Sequence, residues 1–357
     1  MKYALIGCGR IAPNHIRAAK EHGLEICALC DVLPEAAEEI KSIFGLETAR
    51  VYTDYKEMIL REKPELIAIA TISGMHAEIA LFAIEAGCNV IIEKPIAMSM
   101  SDARKIVAAA KEKGVKVCAN HQNRFNKPIQ KIKNAIDEGK FGRILHGSAS
   151  ILWHRDKAYF DQAAWRGTWK DDGGTLMNQC IHDIDLLRWL MGGDIDEIVA
   201  YTDNVNHPYI EAEDIGVALV RFSNGSYGII EGTTNASVTD LEETLFIFGE
   251  KGTAKAGGLS CNQLDAFNFE GDTPEDLKKN TETPPNVYGF GHAYIYADMI
   301  DAIKNDREPY VTAEDGMKAL EVVLAIYLSA AEHRPVRLPL GDVSTIDFYG
   351  RFGEGKR

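Results

Sequence analysis

Three groups of residues in this 357-residue chain have types and spacings that could do chemistry. The first is Glu93-Lys94-Pro95, which closes the apolar run "NVII" (89–92), itself with the look of a buried strand. A lysine at the carboxyl end of a parallel strand stands where open α/β sheets bind their ligands. At the rim of an apolar pocket it can hydrogen-bond a substrate hydroxyl and draw charge off a developing alkoxide, burial lowering its pKa. A solvated strand-end lysine is the plainer alternative, from which Glu93 and the direction-fixing Pro95 set this motif apart.

The second group is Gly7-Cys8-Gly9-Arg10-Ile11-Ala12, a G-x-G-x-x-A between an apolar strand and a helical segment. Small residues there let the chain turn tightly and bring a helix N-terminus, with its free N–H groups, against a pyrophosphate. Asp31 ends the next strand 24 residues after Gly7, where an acid accepts hydrogen bonds from ribose hydroxyls. It is followed by Val32, Leu33 and Pro34, with no arginine for a 2′-phosphate, so the expected cofactor is NAD rather than NADP. A glycine-rich turn in some other doubly wound fold is the competing explanation.

The third group lies in "DDGGTLMNQCIHDIDLLRWLMGG" (171–193). A helix starting near Thr175 would put Asn178 and His182 four apart on one face, after a Gly173-Gly174 pair that admits close backbone approach. Histidine suits proton removal from an alcohol near neutral pH, and Asn178 can position the same hydroxyl without a charge. The alternative is a capped amphipathic helix with a histidine satisfied in the core. Asp183 and Asp185 diverge from His182 by about 100° per residue on a helix, so no metal is expected.

These residues need elements to hold them. Over the first 122 residues, "KYALIG", "EICALCD", "LIAIAT", "NVIIEK" and "KVCANH" alternate with helix-like segments, the pattern of a doubly wound parallel sheet of Rossmann type. After Pro128 come longer alternating strands such as "GVALVRF" and "SYGIIEGTT", joined by the turn signal "SNG". The expected architecture is α/β, with an NAD-binding domain over 1–122 and an α+β domain over 123–357 that carries a large, mainly antiparallel open sheet. Helices are expected at about 128–139, 176–191, 292–304 and 313–331, and the polar, Pro-containing stretch 272–288 reads as a long loop.

Composition bounds the setting. A 46% hydrophobic content allows a large core, and seven cysteines, odd in number and without a framework spacing, suit a reduced cytoplasmic protein. Cys27 and Cys30 point to opposite faces of a strand and have no second pair, so core packing accounts for them. Neither a signal peptide nor a spanning segment is read at the N-terminus. The net charge of −14 argues against nucleic acid, so an anionic ligand would need a local basic pocket.

The combination of G-x-G-x-x-A, T-x-S-x-x-H at Thr71 to His76, Glu93-Lys94-Pro95 and G-G-x-x-x-N-x-x-x-H resembles the Gfo/Idh/MocA family, the glucose-fructose oxidoreductase and inositol dehydrogenase relatives. Within it, "RDKAYFDQAAWRGTWKDDGGTLMNQCIHDIDLLRWLMG" and "GFGHAYIYADMIDAI" look most like the dehydrogenases of UDP-N-acetyl-glucosaminuronic acid, which oxidise the sugar's 3-hydroxyl with NAD. The resemblance implies Lys94 and His182 as catalytic residues, assisted by Asn178. It implies Gly7, Gly9, Arg10, Ile11, Asp31, Thr71, Ser73, His76, Glu93 and Gln122 around the dinucleotide. Two departures stand out: many relatives carry aspartate where this chain has Asn178, and the usual Thr-Pro is here Thr71-Ile72.

Basic and aromatic residues crowd 153–170, where three of the four tryptophans lie. Arg166, between Trp165 and Gly167, could reach a carboxylate or phosphate bidentately beside the nicotinamide; Lys94, Trp165 and Arg166 are also expected at the cofactor, and Tyr159 at the substrate. Arg124, just after the last strand of the first domain, is a second candidate. The expected activity is therefore NAD-dependent oxidation of a sugar hydroxyl, with Lys94, Arg124, Tyr159, Arg166, Asn178 and His182 facing an anionic sugar nucleotide. The alternatives are an inositol or free-sugar dehydrogenase and, from another class, a non-catalytic dinucleotide or sugar-sensing regulator. An exposed apolar face on the second sheet implies a homo-oligomer, dimer or tetramer.

Overall fold

The computed structural model describes residues 1–271, 274–284 and 288–352. In the first of two compact units, strands β1 (Lys2–Ile6), β2 (Glu25–Cys30), β3 (Arg50–Tyr52), β4 (Leu66–Ile69), β5 (Asn89–Ile92) and β6 (Val117–Ala119) alternate with helices α1 (Ala12–Glu21), α2 (Pro34–Phe44), α3 (Tyr55–Glu62), α4 (His76–Glu85) and α5 (Met100–Lys113). All strand pairs are parallel, in the order β3-β2-β1-β4-β5-β6. The order reverses direction at β1/β4, the topological switch point at which such sheets bind ligands. β4 is buried throughout, as a parallel strand covered on both faces must be, which is why these strands read as unbroken apolar runs.

This unit comprises Met1–His121 and also His292–Met317, a correction to the boundary expected from the sequence, which assigned all of 123–357 to the second domain. The reason is side-chain chemistry. The hydroxyl of Tyr296, on α11 (Gly291–Lys304), lies 2.6 Å from that of Tyr3, and His22 Nε2 lies 2.8 Å from the carbonyl of Ala293.

The second unit comprises Gln122–Gly291 and Lys318–Arg357. It contains α6 (Lys127–Asp137), β7 (Ile144–Leu152), α7 (Lys157–Phe160), α8 (Thr175–Asn178), α9 (Ile181–Met191), β8 (Ile195–Asp203), β9 (Ile215–Phe222), β10 (Tyr227–Thr233), β11 (Glu242–Gly249), β12 (Thr253–Gly257), β13 (Gln263–Asn268) and α10 (Pro274–Lys279), then most of α12 (Ala313–Glu332) and β14 (Val336–Arg337). Its eight strands run β13-β12-β11-β7-β10-β9-β8-β14, antiparallel except for β7 beside β10. Helices α8 and α9 lie so close to one face that side chains are excluded beneath them. A Cβ at Gly147 would sit 2.7 Å from Met191 Sδ, and one at Gly216 would sit 2.5 Å from Leu176 Cδ1.

Two element expectations are corrected. The single helix expected over 176–191 is broken into α8 and α9, because the Thr175 carbonyl accepts from both Gln179 and Cys180 and the helix restarts from Cys180. The loop expected over 272–288 contains helix α10, started at Pro274, a favoured first helical residue; 272–273 and 285–287 lie outside the described residues. All seven cysteines are free and buried. No helix among the described residues is long and apolar enough to cross a membrane.

Candidate functional site

In the first unit the glycine-rich turn joins β1 to α1. Gly7 has φ of +94°, and a Cβ there would lie 2.4 Å from the Ala70 carbonyl, so neither the conformation nor the space admits another residue. Gly9 differs: a Cβ there would meet nothing within 4 Å. The protein's own packing does not require that glycine, whereas a ligand approaching the backbone would. Arg10 is exposed, Ile11 caps α1, and Ala12 is buried against the sheet.

Asp31 follows β2. Its Oδ2 accepts the backbone N–H of Cys8 at 2.8 Å and its Oδ1 that of Leu33 at 2.9 Å, which ties the acid to the turn and leaves each oxygen a further lone pair. A turn pressed against β4, an open Gly9, a helix N-terminus and a carboxylate fixed beside them fit a dinucleotide.

Lys94 lies two residues beyond β5, half-buried, and the Lys94–Pro95 peptide is cis. Its neighbours in the motif turn inward. Glu93 is buried and engages His15, Asn120 and His292, so its side chain is committed to the interior rather than standing open to a ligand. His76 is also buried, with Nδ1 2.7 Å from the carbonyl of Pro95 and Nε2 3.1 Å from that of Thr71. Burial lowers its pKa; the neutral ring can donate to only one carbonyl, and the shorter contact selects Pro95. Thr71 and Ser73 flank the turn that opens α4.

In the second unit, Gln122 is buried and its Oε1 has no hydrogen-bond partner among the described residues. Arg124 is not open to a substrate in the way expected: its Nε and Nη2 donate to the two oxygens of Asp185 at 2.7 and 2.6 Å, both side chains are buried, and Trp189 lies beneath the guanidinium. The fork that could have gripped an anion already grips Asp185.

Arg166 behaves differently. Its guanidinium lies 4.6 Å from the ring centroid of Trp165 and 4.4 Å from that of Tyr159, and Nη1 donates to the Tyr159 hydroxyl at 2.7 Å. No carboxylate pairs with it among the described residues, and Nε has no hydrogen-bond partner there. Gln179 Nε2 donates both to the Tyr159 hydroxyl and to Asn178 Oδ1, at 2.9 Å each. Asn178 Nδ2 donates to Asp172, whose other oxygen accepts from Gly167 N at 2.6 Å. The circuit therefore returns to the residue next to Arg166. A carboxylate only accepts, so Asp172 decides which end of the Asn178 amide faces which way. Asp172 and Gln179 were not anticipated as site residues, because their spacing to Asn178 suggests only helix start and continuation.

Gly174 was expected to admit a close approach, and the approaching group is the protein's own Glu213. A Cβ at Gly174 would fall 1.6 Å from Glu213 Oε2, while Oε1 accepts from Leu176 N and the Tyr327 hydroxyl. Burial pushes the Glu213 carboxyl up to about 8. His182, half-buried in the first turn of α9, follows Asn178 across the break rather than on one continuous helical face. Asp183, Glu243 and Cys261 form a separate buried group in which the thiol lies 3.1 Å from Asp183 Oδ1.

Two family models match: residues 1–121 match "Oxidoreductase family, NAD-binding Rossmann fold", and residues 133–338 match "Oxidoreductase family, C-terminal alpha/beta domain". The chain is similar to the WlbA dehydrogenase from Bordetella pertussis, solved with NADH and UDP-GlcNAcA, at 37% identity and TM-score 0.89 over 96% of this chain and 98% of that one. It is similar to the WlbA enzyme of Chromobacterium violaceum, solved with the same two molecules, at 34% identity and TM-score 0.88 over 96% of each chain. A D-apiose dehydrogenase of Paraburkholderia graminis is 29% identical, covering 94% of this chain and 89% of the relative.

Proposed function

From the premise that this chain belongs to the Gfo/Idh/MocA family of NAD-binding sugar oxidoreductases, we propose that it oxidises the 3-hydroxyl of a UDP-linked N-acetyl-hexosaminuronic acid. Its relatives establish the coarser activity, NAD-dependent oxidation of a CH–OH group. The observation that carries the finer reading is Arg166: a cation stacked on Trp165 and Tyr159, without a carboxylate partner among the described residues. A site built for a neutral polyol has no need of a spare, oriented guanidinium, whereas a uronate carboxylate or a diphosphate does. The similarity to two enzymes solved with UDP-GlcNAcA supports it.

NAD, when bound, supplies the hydride acceptor. The chain's own residues supply position and proton handling. The backbone of the Gly7 turn and the Asp31 carboxylate hold the dinucleotide. Lys94 donates to the reacting hydroxyl and stabilises negative charge on its oxygen. His182 accepts the hydroxyl proton. Asn178, its amide direction set by Asp172, orients the sugar, and Arg166 with Tyr159 takes the anionic group.

The test is a substrate panel followed by NADH absorbance: UDP-N-acetyl-glucosaminuronic acid, UDP-N-acetylglucosamine, D-apiose and myo-inositol, with wild type and Arg166→Ala. The uronate should be preferred, and Arg166→Ala should raise its KM by roughly 30-fold or more, the scale of losing one arm of a charge-assisted pair. Preference for a neutral sugar, or an unchanged preference in Arg166→Ala, refutes the substrate assignment. Silence with every sugar favours the sensing regulator.

We also propose that a second copy of the chain covers the open face of the second sheet. Val199, Tyr201, Val217, Leu219, Tyr227 and Ile229 are exposed there, and the register sets Leu219 beside both Val199 and Ile229. Glu197 and Arg221, neighbours on the same face, offer both signs of charge, so the patch can meet its own copy. A monomeric mass by light scattering at micromolar concentration would remove this proposal.

A further inference from the structure

We infer that His15 and His292 are positioning residues: they hold Glu93 as a buried carboxylate and, through it, the backbone N–H from which the Lys94 side chain departs. The inference rests on the proposed role of Lys94, and concerns what fixes that lysine at the end of β5.

Four elements of the first unit converge here. His15 comes from α1, the helix opened by the glycine-rich turn; Glu93 follows β5, Asn120 follows β6, and His292 lies on α11. Glu93 Oε1 has His15 Nε2 at 3.1 Å and His292 Nε2 at 3.5 Å, and accepts from Asn120 Nδ2. Glu93 Oε2 accepts the backbone N–H of Lys94 at 3.3 Å. His15, Asn120 and His292 are all at most 5% exposed and Glu93 is 9% exposed, so water contributes little.

The chemistry of the partners sets the direction of the protons. A carboxylate only accepts, so His15 Nε2 carries hydrogen and Nδ1 is left as an acceptor. The Tyr296 hydroxyl, 2.9 Å away, must then donate to Nδ1, and its oxygen receives the hydroxyl hydrogen of Tyr3. The chain of donors runs one way, from Tyr3 to Glu93. Burial agrees with this polarity, since it pushes Tyr3 and Tyr296 up and His15 down, keeping all three neutral. Burial opposes a charge on Glu93, but the hydrogen bond from His15 and the close approach of His292, whose Nε2 also lies 3.1 Å from Asn120 Nδ2, outweigh it and hold the carboxyl well below its usual range. The other groups facing Glu93 are Asn120, the backbone of Lys94 and, by charge alone, His76 and Tyr296.

Ligand atoms of His15, Glu93 and His292 also lie within 4.8 Å of one another, the spacing of a metal site. Hydrogen bonds account for this arrangement without an ion, since both nitrogens of His15 and the shared oxygen of Glu93 are already engaged. The consequence is a coupling: α1, which presents its N-terminus to the dinucleotide, and α11 act on the same carboxylate that receives the Lys94 amide. If Glu93 loses donors it must protonate or move, and the amide beneath the reacting lysine loses its acceptor.

The experiment compares His15→Asn, His292→Asn, Asn120→Ala, Glu93→Gln and Lys94→Ala with wild type in NAD-dependent oxidation of UDP-N-acetyl-glucosaminuronic acid from pH 5 to 10. The histidine variants should lose about 10-fold or more in kcat at pH 7, with KM and NAD affinity by fluorescence within about 3-fold of wild type. They should also gain an acid limb, kcat recovering as pH rises, because Glu93 with fewer donors ionises later. Glu93→Gln, which cannot titrate, should be slow and flat over the same range. Asn120→Ala removes one donor to Glu93, together with the 3.1 Å contact of Asn120 Nδ2 with His292 Nε2, while keeping both rings in the chain, and serves if a histidine variant does not fold. Wild-type kcat and pH profile in the histidine variants, or a fully active Glu93→Gln, would overturn the inference.

A second measurement needs no turnover. In urea unfolding, the loss of stability on acidification below about pH 4.5 should be smaller in His292→Asn than in wild type, because Glu93 with fewer partners titrates closer to its unfolded value, and this difference should vanish when both proteins also carry Glu93→Gln. Its absence refutes the network. A normal rate in Lys94→Ala, with this difference present, refutes the role of the lysine while leaving the network standing.

Discussion

One oxygen of Asp172 accepts the side-chain amide of Asn178, and the other accepts the backbone N–H of Gly167, the residue after Arg166. A single buried carboxylate thus sets the orientation of the Asn178 amide and the path of the chain that presents Arg166. Asp172→Asn keeps the shape but lets either amide end face Asn178. We expect kcat to fall by roughly 10-fold and the KM for the acidic sugar to rise, with NAD affinity unchanged; steady-state kinetics with both substrates varied checks this.

Lys94→Ala and His182→Ala should each lower kcat by about 100-fold or more while NAD still binds. The measurement is single-turnover NADH formation beside nucleotide titration by protein fluorescence. Near-normal rates would return Lys94 to a strand-end lysine and His182 to an ordinary residue of α9.

Asp31 is held by Cys8 N and Leu33 N with lone pairs to spare, which suits ribose hydroxyls and repels a 2′-phosphate. NAD should bind at least about 10-fold more tightly than NADP, a difference of about 1.4 kcal/mol. Asp31→Ser should narrow the gap chiefly by weakening NAD. Equal dissociation constants for the two nucleotides in wild type would contradict the assignment.

Glu213 lies against Gly174, and burial raises its carboxyl to about 8 in the folded state, above the ordinary 4.5. The folded chain therefore holds this proton where the unfolded chain has lost it. Its contribution is fully present below about pH 4.5 and is lost as pH rises towards about 8, at no more than about 1.4 kcal/mol per unit. Asp183, raised by burial to about 7, acts in the same direction, so the comparison must be with Glu213→Gln. Urea unfolding at pH 5 and pH 8 should show a smaller loss of stability in Glu213→Gln than in wild type.

Much of this molecule is legible in its sequence wherever the physics is local. Strands covered on both faces must be apolar throughout, so β1, β2, β4 and β5 announce a parallel sheet. Gly7 has to be glycine because of its own φ and the strand beside it, and Asp31 is placed by the end of β2. The position of Lys94 beyond β5 follows from the same alternation. What the tertiary structure decided are the partners that arrive from far along the chain. Arg124 looked free to meet a substrate until Asp185, 61 residues away, took its fork. The helix expected through Asn178 and His182 breaks, and the start of its first half is held by Glu213, 37 residues beyond Leu176. Glu93 turns inward because α11 brings His292 to it, and the same contacts move His292–Met317 into the first unit. Periodicity records which face of an element is buried and where it turns; it carries no record of which distant donor or acceptor meets a buried polar group, and that pairing exists only once the chain has folded.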